Sequence, residues 1–337
     1  MKEIFMFSFN AVMPILLMMM LGYFLRSVHF ADEAFFKKAN TLVFKVFLPV
    51  LLFVNVYEIE SLSKVNWGVV VYTVAIVVVL CLTGLVLTKL LFRERSKIGP
   101  LCQCSFRSNY AIIGIPLAEA LGGSEAVGFA CVLSAAAIPM FNILAVIILS
   151  HYSDDDHSAS VKDTVKKTAT NPLIIGVLLG VIVIAIRSAL PLNSEGEVVF
   201  SIMRDMPFFY SALKTIAKGT TAQALIVLGA RFDFSKVSSL LGEITFGTVM
   251  RLLIAPLVGI GTGMLISANT NLINLTSVEY PALISLFASP IAVSSAVMVG
   301  EIGGDEQLAG QLVVWTSVFS MFTMFGIIFT MKTFGFI

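Results

Sequence analysis

Between Phe106 and Leu117 the chain reads Phe-Arg-Ser-Asn-Tyr-Ala-Ile-Ile-Gly-Ile-Pro-Leu, placing arginine, asparagine, glycine and proline inside an apolar run long enough to cross a bilayer. In hydrocarbon every backbone N–H and C=O needs a partner. A helix-breaking Gly-x-Pro at membrane depth is therefore tolerated only against protein or a water-filled cavity. Pro116 brings no N–H, and its ring clashes with the carbonyl four residues back, at Ile112. The helix is expected to break or kink near Ile112 to Ile115, with the interruption at Gly114–Pro116. A second interruption is expected at Ser289–Pro290, within Ser289-Pro290-Ile291-Ala292-Val293-Ser294-Ser295. Paired interrupted helices in the two halves of a membrane protein point to a transporter's binding site.

Composition supports the membrane that this reading needs. Only 13% of the 337 residues are charged and 58% are hydrophobic, whereas soluble domains carry roughly 25% charged residues. The mean hydropathy is +0.95. The chain reads as an integral membrane protein, and a net charge of +1 carries no argument for nucleic acid as a partner. The apolar run from Phe5 to Leu25 exceeds a signal-peptide core and lacks a small-residue cleavage site, so it reads as a span. Cys81, Cys102, Cys104 and Cys131 all fall in apolar segments, where a free thiol behaves as a small hydrophobe. Cys102-x-Cys104 is too tight for a tetrahedral zinc site.

With about 20 apolar residues per crossing, ten spans are expected. They fall near Phe5–Leu25, Asn40–Tyr57, Trp67–Leu91, Pro100–Leu121, Ala126–Leu149, Asn171–Ile186, Pro207–Ala230, Ile244–Ile266, Val278–Val299 and Gln307–Met331. Lys and Arg in short loops stay cytoplasmic. If both termini are exterior, twelve such residues fall inside against five outside. The expected location is thus a plasma membrane (a bacterial inner membrane), with both termini exterior and the His151–Thr170 loop cytoplasmic.

Five spans on each side of that loop imply inverted halves. Residues 1–150 form the first five-helix repeat, 151–170 a linker, and 171–337 the second repeat. Met13-Pro14-Ile15-Leu16 through Leu21-Gly22 aligns with Asn171-Pro172-Leu173-Ile174 through Leu179-Gly180. Gly122-Gly123-Ser124-Glu125 aligns with Gly303-Gly304-Asp305-Glu306. The acidic residue there suits a helix N-terminus.

The whole chain resembles the auxin efflux carrier family, which includes plant auxin exporters and bacterial malate and malonate permeases. The resemblance rests on Asn109-Tyr110-Ala111-Ile112-Ile113-Gly114-Ile115-Pro116-Leu117, on Leu48-Pro49-x-x-Leu52-Phe53 and on Ala288-Ser289-Pro290. It implies an all-α membrane fold of ten helices in two inverted five-helix repeats, similar to bile acid sodium symporters, with helices 4 and 9 broken and crossing. It also implies that Asn109 touches a substrate carboxylate and that the protein is a homodimer. The loop at 151–170 is short, which resembles the bacterial members and argues against auxin itself.

The candidate substrate-binding residues are Asn109, Gly114, Pro116, Pro290, Ser294 and Ser295. Asn109 offers a donor and an acceptor; capping carbonyls freed by the break is the alternative role. Ser294 and Ser295 either line the crossover or pack at a small-residue helix interface. Arg107, Lys214 and Lys218 are candidates for anion attraction, or they snorkel from span ends. Half-helices that begin near Pro116 and Pro290 would aim their positive N-termini at mid-membrane and favour a small organic anion. Freed carbonyls could equally hold a cation, so the coupling ion stays open between H+ and Na+; no other cofactor and no metal is expected. Intramembrane Lys45, Arg251, Glu119 and Glu301 are further candidates, Glu119 and Glu301 as water-facing span ends and Lys45 without an identifiable partner. The His151–His157 tract reads as a solvated linker. No nucleophile–base or metal-ligand motif at membrane depth argues for an enzyme. The function expected is secondary transport of a small carboxylate; an anion channel or a ligand-sensing protein of the same fold is the alternative.

Overall fold

Proline placement decides where the helices bend. The computed structural model describes residues 2–58, 66–153, 170, 172–189, 200–233, 235 and 237–337. Its first half contains α1 (Lys2–Ser27), α2 (Glu33–Leu42), α3 (Leu48–Tyr57), α4 (Trp67–Leu91), α5 (Arg95–Phe106) and α6 (Ile115–Tyr152). Its second half contains α7 (Pro172–Ala189), the single turn α8 (Ile202–Asp205), α9 (Pro207–Arg231), α10 (Leu241–Val249) and α11 (Thr262–Asn269). It closes with α12 (Glu279–Ala288), α13 (Ser294–Ile302) and α14 (Glu306–Thr333). Pro49, Pro116 and Pro256 each stand two residues after a widened π-helical turn, at Val43–Phe47, Tyr110–Gly114 and Met250–Ile254. Each proline would clash with the carbonyl four residues back. Widening the turn moves that carbonyl aside and lets the helix continue.

This corrects the expected position of the first break. Gly114 and Pro116 lie in a continuous helical run, with Pro116 just after the widened turn that accommodates it. The interruption is at Arg107–Asn109, seven residues earlier, where Arg107 adopts extended backbone (φ −84°, ψ 119°). The second interruption falls as expected, from Ser289 (φ −66°, ψ 149°) to Val293, between α12 and α13. The two interruptions touch. Ser108 and Ile291 form an antiparallel bridge, and the Asn109 N–H donates to the Pro290 carbonyl at 2.8 Å. Each extended strand thereby satisfies the other's backbone, as a dry interior demands.

Every named regular element among the described residues is helical. Four helical runs are long and apolar enough to cross a membrane: Trp67–Leu91, Glu125–Tyr152, Ser238–Asn269 and Glu306–Thr333. The Gly-Gly pairs also behave alike. Gly123 (φ 67°) kinks α6, and Gly303 (φ 126°) and Gly304 (φ 121°) turn the chain from α13 into α14. Such positive φ values are reached at no steric cost only by glycine. Asp305 then caps α14, accepting from the Leu308 N–H at 2.9 Å.

Packing pairs the first helix of each half with the third of the other: α1 lies against α9, and α7 against α3. Glycines bring the backbones together. A Cβ on Gly22 or Gly229 would overlap a main-chain carbonyl of the opposite helix, Ile226 or Met19, and one on Gly176 would overlap Pro49. Dispersion between closely approaching backbones is the main attraction where lipid removes the hydrophobic drive. At one end of the bundle Lys97 lies between Glu94 (2.6 Å) and Glu243 (3.0 Å), tying the start of α5 to α10. Its hydrogen bond holds the Glu94 carboxyl below the usual carboxylate range.

Candidate functional site

The crossing of the two extended strands opens on a cavity of about 70 Å³. The walls come from α3 (Leu48, Leu51, Leu52), from Arg107–Ala111, from α6 (Ile138, Phe141, Asn142) and from α7 (Leu173). The remainder is Thr220, Thr221 and Ala224 of α9, with Ala292, Val293 and Ser294. At roughly 10–15 Å³ per water, this is room for about five water molecules. One side chain of the lining is charged, Arg107, and none is acidic.

Arg107 is 3% exposed, which corrects the snorkelling reading. The break that follows Phe106 turns its guanidinium inward, across the crossing. Nη2 donates to Asn142 Oδ1 and to Ser294 Oγ, both at 2.8 Å, while Nη1 reaches Gln103 Oε1 and Met298 Sδ. Asn142 in turn donates to the Ile138 carbonyl at 2.8 Å. Among the described residues no carboxylate pairs with Arg107. Its charge therefore stays uncompensated in a medium where charge is costly.

Asn109 begins the widened turn that leads into α6, and its side chain does not cap that turn. The residue is 3% exposed, and its Nδ2 has no hydrogen-bond partner among the described residues; neither has Ser108 Oγ. Capping freed carbonyls is thus not the work of its amide in this structure. Buried polar groups are nearly always satisfied, so an orphaned donor on a cavity wall asks for an acceptor.

The other sequence candidates divide. Ser294 lines the cavity. Gly114, Pro116, Pro290 and Ser295 do not. Pro290 contributes its carbonyl to the crossing, Ser295 is buried behind the wall, and Gly114 packs against Tyr110, leaving no room for a Cβ. Lys214 forms an ion pair with Glu58, which also accepts from Tyr210, away from the cavity; Lys218 is exposed. Lys45 is exposed too, on the widened turn between α2 and α3. Glu119 is exposed as expected. Glu301, by contrast, is half-buried and accepts from Asn40 Nδ2 (3.0 Å) and Thr41 Oγ1 (2.8 Å). Most of the His151–His157 tract lies outside the described residues.

Sequence reasoning missed Asn142, Thr220 and Thr221. Asn142 was findable, since it is a lone amide inside the apolar run Ala126–Leu149. The threonines carry no such signal, because their hydroxyls routinely bond their own helix, as Thr220 Oγ1 does with the Ile216 carbonyl at 3.0 Å. Beyond the crossing, a smaller space lies between Asn40, Leu228 and Val297. Sharing Arg231, Glu306 and Gln307 with it is a cavity of about 110 Å³ lined also by Arg26, Glu33 and Asp233, where Arg231 and Glu306 form an ion pair.

Residues 7–328 match the model of a family described as Membrane transport protein. A relative from Methanothermobacter thermautotrophicus, described as an uncharacterized transporter, is 24% identical over 325 residues. That match covers 95% of this chain and 97% of the relative.

Proposed function

Since this chain belongs to the Membrane transport protein family, we propose that it is a secondary transporter carrying a small organic anion by alternating access, with the anion held where the two interrupted helices cross. One observation carries the reading: the Arg107 guanidinium, which has no counter-charge among the described residues, and the orphaned Asn109 Nδ2 share one small cavity that has no carboxylate in its walls. A carboxylate would accept from both, and charge-assisted bonds of this kind are the strong ones. The N-terminal end of α13, marked by Ser294, adds its partial positive charge. The cavity volume favours a malate- or malonate-sized acid over an indole-bearing one. We further propose ten spans in two inverted repeats, divided at 151–170. The reciprocal packing of α1 on α9 and α7 on α3, together with the matched glycine turns, supports that division.

The test is a panel of malate, malonate, succinate, acetate and indole-3-acetate added to the purified full-length protein, read as the shift in melting temperature. A rise with at least one small dicarboxylate, exceeding that with indole-3-acetate, is expected. Saturable counterflow of that acid in proteoliposomes would then separate a carrier from a channel. No response to any of the five acids would overturn the substrate class.

A further inference from the structure

Arg251 is the largest fully buried side chain among the described residues, with an exposure of 0%. It sits on the widened turn Met250–Ile254, ahead of Pro256. Its guanidinium reaches the place where α12 ends. Nε donates to the Ser289 carbonyl (2.8 Å), and Nη2 donates to the carbonyls of Leu286 (2.9 Å) and Phe287 (2.8 Å). The last carbonyls of any helix lack partners within it and carry its partial negative charge. Here the Ser289 hydroxyl takes the Ser285 carbonyl at 2.6 Å. Arg251 takes three more. Among the described residues no carboxylate faces this guanidinium.

In broken-helix transporters, unwound carbonyls and half-helix C-termini are where a coupling Na+ is coordinated. We propose that Arg251 is a built-in cation filling that role: one guanidinium holds the carbonyl oxygens that a metal ion would need, so the break after α12 is closed to Na+ and the crossing needs none to hold its shape. The geometry is not a stand-in for an exchangeable ion, because Arg251 is covalently part of α10's continuation and buried on every side. Its consequence for coupling rests on the transport reading above: an anion bound at Arg107 and Asn109 would cross without Na+ at this break. The cavity walls hold no carboxylate to carry a proton, so a coupled proton would ride on the substrate itself. The second crossing strand starts at Ser289, and Arg251 acts on the anion site through that strand. It is a positioning residue.

The experiment needs no substrate, so its failure is separable from failure of the transport reading. Melting of the purified full-length protein is compared in sodium chloride and in choline chloride at equal ionic strength. Equal melting temperatures are expected; a Na+-specific rise overturns the proposal. Arg251→Ala is expected to melt several degrees lower and to regain part of the loss in millimolar guanidinium chloride, a concentration that leaves the wild-type protein unchanged. Arg251→Lys, which keeps the charge without the fork, should fall between the two and ignore guanidinium. An Arg251→Ala protein that melts like wild type, or that guanidinium does not rescue, overturns the assignment. If Arg251→Ala cannot be purified folded, the sodium–choline comparison on the wild-type protein and the Arg251→Lys melting still decide it.

Discussion

At the scale of single residues, the proposed anion site rests on an economy of partners. Asn109 spends no side-chain hydrogen bond on the protein, whereas Arg107 binds Asn142 and Ser294 and still lacks a counter-charge. On the proposed reading, removing the Asn109 amide therefore takes away a ligand contact without unpicking the fold. Asn109→Ala is expected to weaken malate binding by about ten- to a hundred-fold, the equivalent of roughly 1.5–3 kcal/mol for a hydrogen bond to a charged group. Its melting temperature without ligand should match the wild type. Asn109→Asp should bind more weakly still, since it sets a like charge against the anion. Both quantities are measured on the same purified samples; a lower melting temperature with intact affinity would return Asn109 to a capping role.

At the scale of elements, prolines and glycines do different work. Pro116 widens a turn; the break is made by Arg107–Asn109 and held by the Ser108–Ile291 bridge and the Pro290 carbonyl. Pro116→Ala should leave malate affinity unchanged, and a loss comparable to that of Asn109→Ala would show that the proline shapes the site after all. Gly229 lets α9 lie against the backbone of α1 at Met19. Gly229→Ala forces the pair apart, for an expected cost of about 1–3 kcal/mol by analogy with overpacked cores. Thermal melting reads this directly, and an unchanged melting temperature would mean that the α1–α9 contact is not close in solution.

For the whole molecule, the orientation expected from the basic residues puts twelve on the cytoplasmic side against five outside. The loop 151–170 is expected to face the cytoplasm. In a variant with the four native cysteines replaced, Ser158→Cys should resist an impermeant maleimide added to intact cells and react once the membrane is opened. Labelling from outside would invert the assignment. Under the same assignment the Arg231–Glu306 ion pair is expected on the cytoplasmic side, since both residues flank loops assigned there.

What the chain's own letters determined is the material that hydrocarbon makes unambiguous. Few charges over 337 residues dictate a membrane helix bundle, and Ser289-Pro290 in an apolar run pointed to an interruption that the structure has there, where a buried backbone cannot leave groups unpaired. Asn109 stood out for the same reason, as a polar amide in an apolar run. The position of the first break could not be read this way. A proline can either end a helix or be absorbed by a wider turn, and the choice belongs to whatever pairs with the freed backbone, here Pro290 and Ile291, almost two hundred residues away in sequence. The roles of the two arginines were equally out of reach. A charged side chain next to an apolar run looks the same whether it snorkels to water, one of the two readings open for Arg107, or caps carbonyls from a neighbouring helix, as Arg251 does. Only the tertiary structure decides, because it alone brings the acceptors of Arg251 within 2.8–2.9 Å.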